Sequence, residues 1–127
     1  MKYLIDTNIL IDHLRGEPKA TEVLRQVKDG NIQASISVIT EYELLASSKL
    51  SSQETTKIAE LLQIMPSMAI TSHIAHTAAN FHRQYRTDLV DALIAATAFL
   101  AKATLLTRNF KHFQNIRELH TKNLPSD

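Results

Sequence analysis

The sequence contains no cysteine among its 127 residues. This absence excludes disulfide bridges, thiolate metal sites and a cysteine nucleophile. A long hydrophobic run is also missing, since the longest one, Ala92 to Ala101, is too short to cross a bilayer and directly follows Asp91. That run predicts a buried helix. The apolar start of the chain is interrupted by Asp6, which argues against a secretion signal. We therefore expect a cytoplasmic protein with no membrane partner.

The chain also lacks a strong excess of charge of either sign. Its 14 basic and 13 acidic residues give a formal net charge of +1, and no polybasic segment occurs. A large non-specific contact with nucleic-acid phosphates is therefore not expected, although this balance does not exclude RNA as a substrate. The length suits one hydrophobic core, so residues 1–127 are predicted to form a single domain.

Apolar segments typical of strands alternate with segments of helical periodicity along the chain. Strands are predicted at residues 3–5, 32–36, 68–70 and 104–107, with an edge strand expected at 116–119. Helices are predicted at residues 9–15, 20–28, from Ser37 to about 48, from the capping box Ser51–Glu54 to Pro66, from Thr71 or Ser72 to about 86, and at 88–102. The alternation predicts a three-layer α/β/α fold with a central parallel sheet of four or five strands.

Three acidic residues lie where such a fold would bring them together. Asp6 follows the first predicted strand, Glu43 lies in the mostly apolar helix after the second, and Asp91 is the only charged residue from Leu89 to Ala101. Open α/β sheets bind their ligands beyond the carboxyl ends of the strands. Three carboxylates that converge there would suit a hard divalent cation, which prefers oxygen ligands.

Each acid also has a purely structural explanation. Asp6 precedes a Thr-Asn pair and would be a good helix N-cap. Asp91 would complement the dipole of a helix capped by Asp88. Glu41 competes with Glu43, because the two glutamates lie about 200° apart on a helical wheel. Only one of them can face Asp6, and periodicity does not choose between them.

Four motifs occur in the order and spacing of the PIN-domain family. They are Asp6-Thr7-Asn8, Thr40-x-x-Glu43-Leu44, Asp91-Ala92-Leu93-Ile94-Ala95-Ala96-Thr97-Ala98 and Leu106-Thr107-Arg108-Asn109-x-x-His112-Phe113. The resemblance covers nearly the whole chain and is strongest to the VapC-type toxins of toxin–antitoxin pairs. It implies a Mg²⁺- or Mn²⁺-dependent endoribonuclease that cleaves single-stranded RNA, forms a homodimer and is held inactive by an antitoxin protein.

Carried over by position, the metal-binding and catalytic acids of the family fall on Asp6, Glu43 and Asp91. Many members have a fourth acid in the last motif, and its candidate positions hold Asn109 and His112 here. Asn109 can still form a hydrogen bond in the catalytic site. With three acids we expect one firmly bound ion and a second that arrives with the substrate. The candidates for contact with substrate are Thr7, Arg108 and His112.

Two other classes of protein compete with this interpretation. A degenerate PIN domain would bind RNA or a protein partner without cleavage, and the missing fourth acid favours it. A haloacid-dehalogenase-like phosphatase also begins with a strand and an aspartate, but it needs a second aspartate where Asn8 stands.

The sequence also predicts surfaces for protein partners. More apolar side chains than one sheet covers occur in the helices around Leu44-Leu45, Leu61-Leu62 and Phe81. This excess predicts exposed interfaces for the dimer and the antitoxin.

Overall fold

The computed structural model describes residues 2–46 and 50–124, in which strands and helices alternate. The strands are β1 (Lys2–Ile5), β2 (Gln33–Ser37), β3 (Ser67–Met68), β4 (Thr104–Thr107) and β5 (Thr121–Asn123). The helices are α1 (Thr7–Leu14), α2 (Pro18–Lys28), α3 (Val38–Leu45), α4 (Ser52–Ile64), α5 (Ser72–Tyr85), α6 (Leu89–Leu100) and α7 (Phe110–Phe113). Within these ranges no helix is long and apolar enough to cross a membrane.

The strands form one sheet in the order β3-β2-β1-β4-β5, and every neighbouring pair is parallel. In the central strand β1, Tyr3 pairs with Ala34 on one side and with Thr104 on the other. The chain leaves β1 toward β2 and β3 and then crosses to the opposite side of β1 with β4. This confirms the predicted parallel sheet. The reversal of strand order opens a crevice beyond the carboxyl ends of β1 and β4.

Helices cover both faces of the sheet. Neighbouring residues of a strand point to opposite faces, so each strand contributes side chains to two hydrophobic clusters. Leu4 and Leu105 are buried in the cluster that contains the apolar residues of α5 and α6. Ile5 and Leu106 are buried in the other cluster, together with apolar residues of α1, α2, α3 and α4. The two clusters on either side of the sheet confirm the predicted three-layer architecture.

Local capping signals set the starts of several helices, as the sequence predicts. The Ser37 side chain accepts a hydrogen bond from the Ile39 N–H at 3.1 Å and begins α3. Ser51 and Glu54 form the reciprocal hydrogen bonds of a capping box at the start of α4. Thr71, rather than Ser72, is the N-cap of α5. The predicted end of α3 near residue 48 lies outside the described residues.

Two strand predictions differ from the structure. The short strand expected at 68–70 lies at Ser67–Met68 instead. The edge strand expected at 116–119 is wrong, because these residues lie in turns. The strand at that edge of the sheet, next to β4, is β5. Ile116 and Leu119 are buried in the core beside α6, and the Leu119 N–H donates to the Ile116 carbonyl. Their apolar character therefore reflects packing in the core and not pairing in the sheet.

The predicted excess of apolar helix surface is confirmed for Leu45, which is 46% exposed. The prediction is wrong for Leu44, Leu61 and Phe81, which are buried in the core. Exposed apolar side chains follow one face of α3, the predicted helix that contains Leu45, at spacings of four and three residues. We call this set the α3 stripe, and it consists of Val38, Tyr42 and Leu45.

Candidate active site

Asp6 occupies the crevice between β1 and β4. Its backbone N–H donates to the Leu106 carbonyl at 2.9 Å, which holds it directly at the end of β1. Its Oδ1 accepts from the Thr7 N–H at 2.9 Å, and its Oδ2 accepts from Thr107 Oγ1 at 2.7 Å. The side chain is only 6% exposed. Asp6 is thus the N-cap of α1, as its structural explanation predicts, and the cap fixes the same carboxylate in the crevice.

Thr7 connects the start of α1 to Glu43 on α3. Its Oγ1 donates to Glu43 Oε1 at 2.6 Å and shares a second hydrogen bond of 2.9 Å with the Thr40 hydroxyl. Thr7 has one hydroxyl proton and the Glu43 carboxylate can only accept, so the proton of the second bond belongs to Thr40. Glu41 instead accepts a hydrogen bond of 3.0 Å from the Oγ of Ser67, a residue of β3 at the other edge of the sheet. The orientation of α3 therefore brings Glu43, and not Glu41, to the crevice.

Asp91 lies in the first turn of α6 with most of its side chain buried. Its Oδ2 is 3.2 Å from Nδ1 of His112 on α7. Asp88 is the N-cap residue of α6, as expected, but its side chain makes no capping hydrogen bond. Asp88 lies close enough to Asp91 to raise the pKa of the Asp91 carboxyl group. The first turn of α6 and the short helix α7 thus meet at the Asp91 carboxylate.

Burial is the main influence on the charge of Asp6. Desolvation raises the pKa of its carboxyl group above the ordinary value, and hydrogen bonds from Thr107 and Thr7 oppose that shift. The negative charge of Glu43 raises the pKa of Asp6 further, whereas the charge of His112 lowers it. Asp6 and Glu43 are therefore close enough to repel each other.

Asp91 is affected in a similar way. Desolvation raises its pKa to about 6, with further increases from the hydrogen bond and the charge of Asp88 and from the charge of Asp6. His112 lowers the same pKa by its positive charge. The electrostatic interactions link Asp6 with Glu43 on one side and with Asp91 on the other. Asp6 thus interacts electrostatically with both of the other predicted acids.

Arg108 has a different environment from the one expected of a substrate contact. Its guanidinium forms ion pairs with Asp12 on α1, at 2.5 Å, and with Glu17 at the start of α2. The side chain is only 11% exposed. The Arg108 N–H also donates to Asn8 Oδ1 at 3.4 Å. These contacts tie the segment between β4 and α7 to the first two helices, which favours a positioning role over contact with RNA phosphate.

The two residues at the candidate positions of the fourth acid differ in their contacts. The Asn109 N–H donates to Thr107 Oγ1 at 2.9 Å, while its side chain is exposed and makes no capping bond with α7. His112 contacts Asp91 directly. Of the pair, His112 is therefore the residue whose side chain reaches the acids.

The donor set fits a hydrated divalent ion only if water completes the coordination. Across residues 2–46 and 50–124, no group of three His, Asp or Glu side chains is arranged to hold a metal ion by itself. However, Mg²⁺ commonly binds through one or two carboxylates and keeps several waters. The oxygen donors of Asp6, Glu43 and Asp91 suit such a site, with some contacts made through water.

Thr40 and Thr107 are buried residues of the site to which the sequence analysis assigned no role, although both stand in the quoted motifs. Thr107 links the Asp6 carboxylate to the Asn109 backbone, and Thr40 supports the hydroxyl of Thr7. A buried hydroxyl group needs a hydrogen-bonding partner. A threonine at the end of an apolar strand, such as Thr107, is therefore a signal in the sequence that could have identified it.

In comparison with known proteins, a family model described as PIN domain matches residues 3–119. The chain belongs to the PIN-domain family. Ribonuclease VapC19 of Mycobacterium tuberculosis is 36% identical over 121 residues, which cover 91% of this chain and 95% of that protein. The predicted family is therefore confirmed.

Solved structures show the same PIN-domain fold. A chain in a toxin–antitoxin complex from Klebsiella pneumoniae has 32% identity and a TM-score of 0.78, covering 96% of this PIN domain and 99% of that chain. A chain of VapBC2 from Rickettsia felis, bound to a DNA fragment from the promoter, has 25% identity and a TM-score of 0.81. That match covers 98% of this PIN domain and 99% of the Rickettsia felis chain.

Proposed function

We propose that this PIN domain is the endoribonuclease toxin of a VapBC-type toxin–antitoxin pair. It cleaves single-stranded RNA and uses Mg²⁺ or Mn²⁺ held by Asp6, Glu43 and Asp91. The observation that carries the proposal is the buried Asp6 carboxylate in the crevice between β1 and β4, linked to the other two acids. Relatives named VapC ribonucleases support the reaction, and the matching complexes support an antitoxin partner.

The protein fixes its carboxylates before the substrate arrives. A divalent ion, when bound, supplies positive charge for the phosphoryl oxygens and lowers the pKa of an attacking water. Asp6 is oriented by Thr107 and by the cap of α1, and Glu43 is oriented by the Thr7 hydroxyl. Such preorganised groups need little rearrangement during the reaction.

The same acids make RNA binding dependent on a cation. Three carboxylates around one crevice repel a phosphodiester, as they repel one another. Burial is the main cause of the raised pKa values of Asp6 and Asp91, and neighbouring negative charges raise both values further. Substrate phosphate therefore binds in the crevice only when a cation offsets the negative charge.

Purified chain should cleave single-stranded RNA when Mg²⁺ or Mn²⁺ is present. Chelation with EDTA should stop the reaction, and either ion should restore it, because the carboxylates alone repel phosphate. Gel analysis of a labelled single strand, with a duplex of the same sequence as the control, measures cleavage and strand preference. A small phosphate ester is tested in parallel, and hydrolysis of the ester without RNA cleavage would contradict the proposal.

The second candidate function is binding of RNA or a protein without cleavage. It is favoured by the absence of a fourth acid at Asn109 and His112 and of a ready cluster of three ligands among the residues described. Retention of single-stranded RNA with no cleavage in either ion would identify it.

We also propose that two copies of the chain associate through the α3 stripe. Tyr42 is 67% exposed, and Val38 and Leu45 extend the same apolar surface along the helix. Exposed apolar patches of this kind commonly mark protein interfaces. The family resemblance favours a homodimer, and this surface is the apolar helix face that the structure leaves open to solvent on α3.

Leu45→Glu should weaken the homodimer at least about tenfold, because it places an unpaired charge within an apolar contact. Analytical ultracentrifugation over a concentration series measures the change. Gln63→Glu adds the same charge at an exposed position of α4 and should leave dimerisation unchanged. A parent chain that sediments as a monomer throughout would contradict the dimer, and equal behaviour of both variants would contradict its location.

A further inference from the structure

We propose that His112 is a nitrogen ligand of the divalent ion and that it makes this site prefer Mn²⁺ over Mg²⁺. The inference rests on the proposed function, because it requires an ion at Asp6, Glu43 and Asp91. It goes beyond the family assignment, since His112 stands at a candidate position for an acid in many members.

The first support is the distance between His112 and Asp91. His112 Nδ1 lies 3.2 Å from Asp91 Oδ2. In octahedral coordination with bonds of about 2.1 Å, adjacent ligand atoms lie about 3 Å apart. The two atoms form a hydrogen bond in this structure, and their spacing is also close to that of neighbouring ligands, so an ion that binds both side chains would replace this bond. Asn109 has no equivalent placement, because its side chain is exposed and its backbone binds Thr107.

The second support is the way the protein presents His112. The imidazole side chain is 56% exposed, so it lies where an ion can approach from solvent, above the more buried Asp91. Helix α7 is held in place because the next residue, Phe113, is fully buried in the core. The ion pairs of Arg108 fix the segment that leads into the same helix. His112 is therefore carried by an anchored element beside the acids.

The choice of metal follows from the donor atom. Mg²⁺ binds oxygen and water almost exclusively and is held mainly by carboxylate charge. Replacing an anionic oxygen with a neutral imidazole nitrogen removes charge that Mg²⁺ needs. Transition metals accept imidazole, and Mn²⁺ also accepts carboxylate and water. A site of Asp6, Glu43, Asp91 and His112 should therefore retain Mn²⁺ better than Mg²⁺.

Electron paramagnetic resonance of the full-length chain with Mn²⁺ alone tests this inference without any measurement of cleavage. In the parent protein, bound Mn²⁺ should show coupling to a ¹⁴N nucleus, and His112→Gln should remove it. His112→Asp should also remove the coupling and should lower at least tenfold the Mg²⁺ concentration that displaces Mn²⁺. His73→Gln changes an exposed histidine on α5 and should leave both measurements as in the parent.

The outcomes separate this inference from the proposed function. Mn²⁺ bound in the parent without ¹⁴N coupling would overturn the role of His112 and leave the metal-dependent ribonuclease intact. Equal Mg²⁺ competition in the parent and His112→Asp would overturn the metal preference in the same way. Failure of the parent to bind Mn²⁺, together with no cation-dependent cleavage, would overturn both proposals.

Discussion

Asp6→Asn should lower the rate of RNA cleavage at least about 100-fold, and Asp91→Asn should do the same. Asparagine keeps the size of aspartate and remains a good N-cap, so α1 should still begin at Thr7. The variant loses the negative charge that would hold a divalent ion in the crevice between β1 and β4. Initial rates on a single-stranded RNA, measured in Mg²⁺ and in Mn²⁺, give the size of the effect.

Glu41→Gln is the matched control for loss of one acid. Glu41 lies on the same helix as Glu43, but its carboxylate binds Ser67 beside β3 and does not reach the crevice. Its removal should leave the rate within about twofold of the parent, as expected for a change away from the site. Undiminished cleavage by Asp6→Asn, in protein purified free of other nucleases, would show that the site assignment is wrong.

A measurement of the stability of Asp91→Asn will show whether this variant loses activity without losing its fold. The folded state raises the pKa of Asp91 from 3.8 to about 6, so the ionised carboxylate disfavours folding. This destabilisation is absent at a pH below the pKa of Asp91 in the unfolded chain, and it is complete at a pH above its pKa in the folded protein. The variant should therefore be more stable than the parent at pH 7.5, by on the order of 1 kcal/mol after allowance for solvent screening. Urea unfolding should show this gain disappear as the pH falls toward 4.

Expression of the chain alone in bacteria should arrest growth, and co-expression of the protein encoded immediately upstream should restore it. The acidic crevice at Asp6, Glu43 and Asp91 attracts a basic side chain, which would displace the metal ion and the substrate by charge pairing. A short amphipathic segment of the antitoxin would carry that side chain to the site. Growth curves and co-purification measure neutralisation and binding in the same cells.

The charge of the antitoxin segment can be tested by alanine substitution. Replacement of the basic residue that enters the crevice should weaken binding at least about tenfold, with inhibition of cleavage falling in parallel. Replacement of a basic residue elsewhere in the antitoxin serves as the control. Tight binding that leaves cleavage unaffected would place the antitoxin away from the crevice, and growth arrest that persists on co-expression would argue against this partner.

Features that depend on a few neighbouring residues could be predicted from the sequence. The strand Thr104–Thr107 has the predicted bounds, because an apolar run between polar residues defines both of its ends. The capping box of Ser51 and Glu54 is likewise a local pattern with a local cause. Asp6 could be placed at the end of β1 for the same reason.

Features that depend on the path of the whole chain could not be predicted in this way. Helical periodicity does not choose between Glu41 and Glu43, since the answer depends on which side of α3 faces Thr7. The ion pairs of Arg108 join it to residues on α1 and at the start of α2, far away in the sequence. An apolar segment such as 116–119 reports burial but does not identify its hydrogen-bonding partners.

The hydrogen bond from Thr107 to Asp6 joins residues that are 101 positions apart. The ribosome therefore makes Asp6, on one side of the crevice, at the beginning of synthesis and Thr107, on the other side, 101 residues later. Parallel pairing of β1 with β4 must wait for the later segment, and such distant contacts form slowly. While β4 has not yet left the ribosome, the nascent chain has Asp6 but neither Thr107 nor His112 beside it. Translation thus provides an interval in which the newly made protein has no assembled nuclease centre.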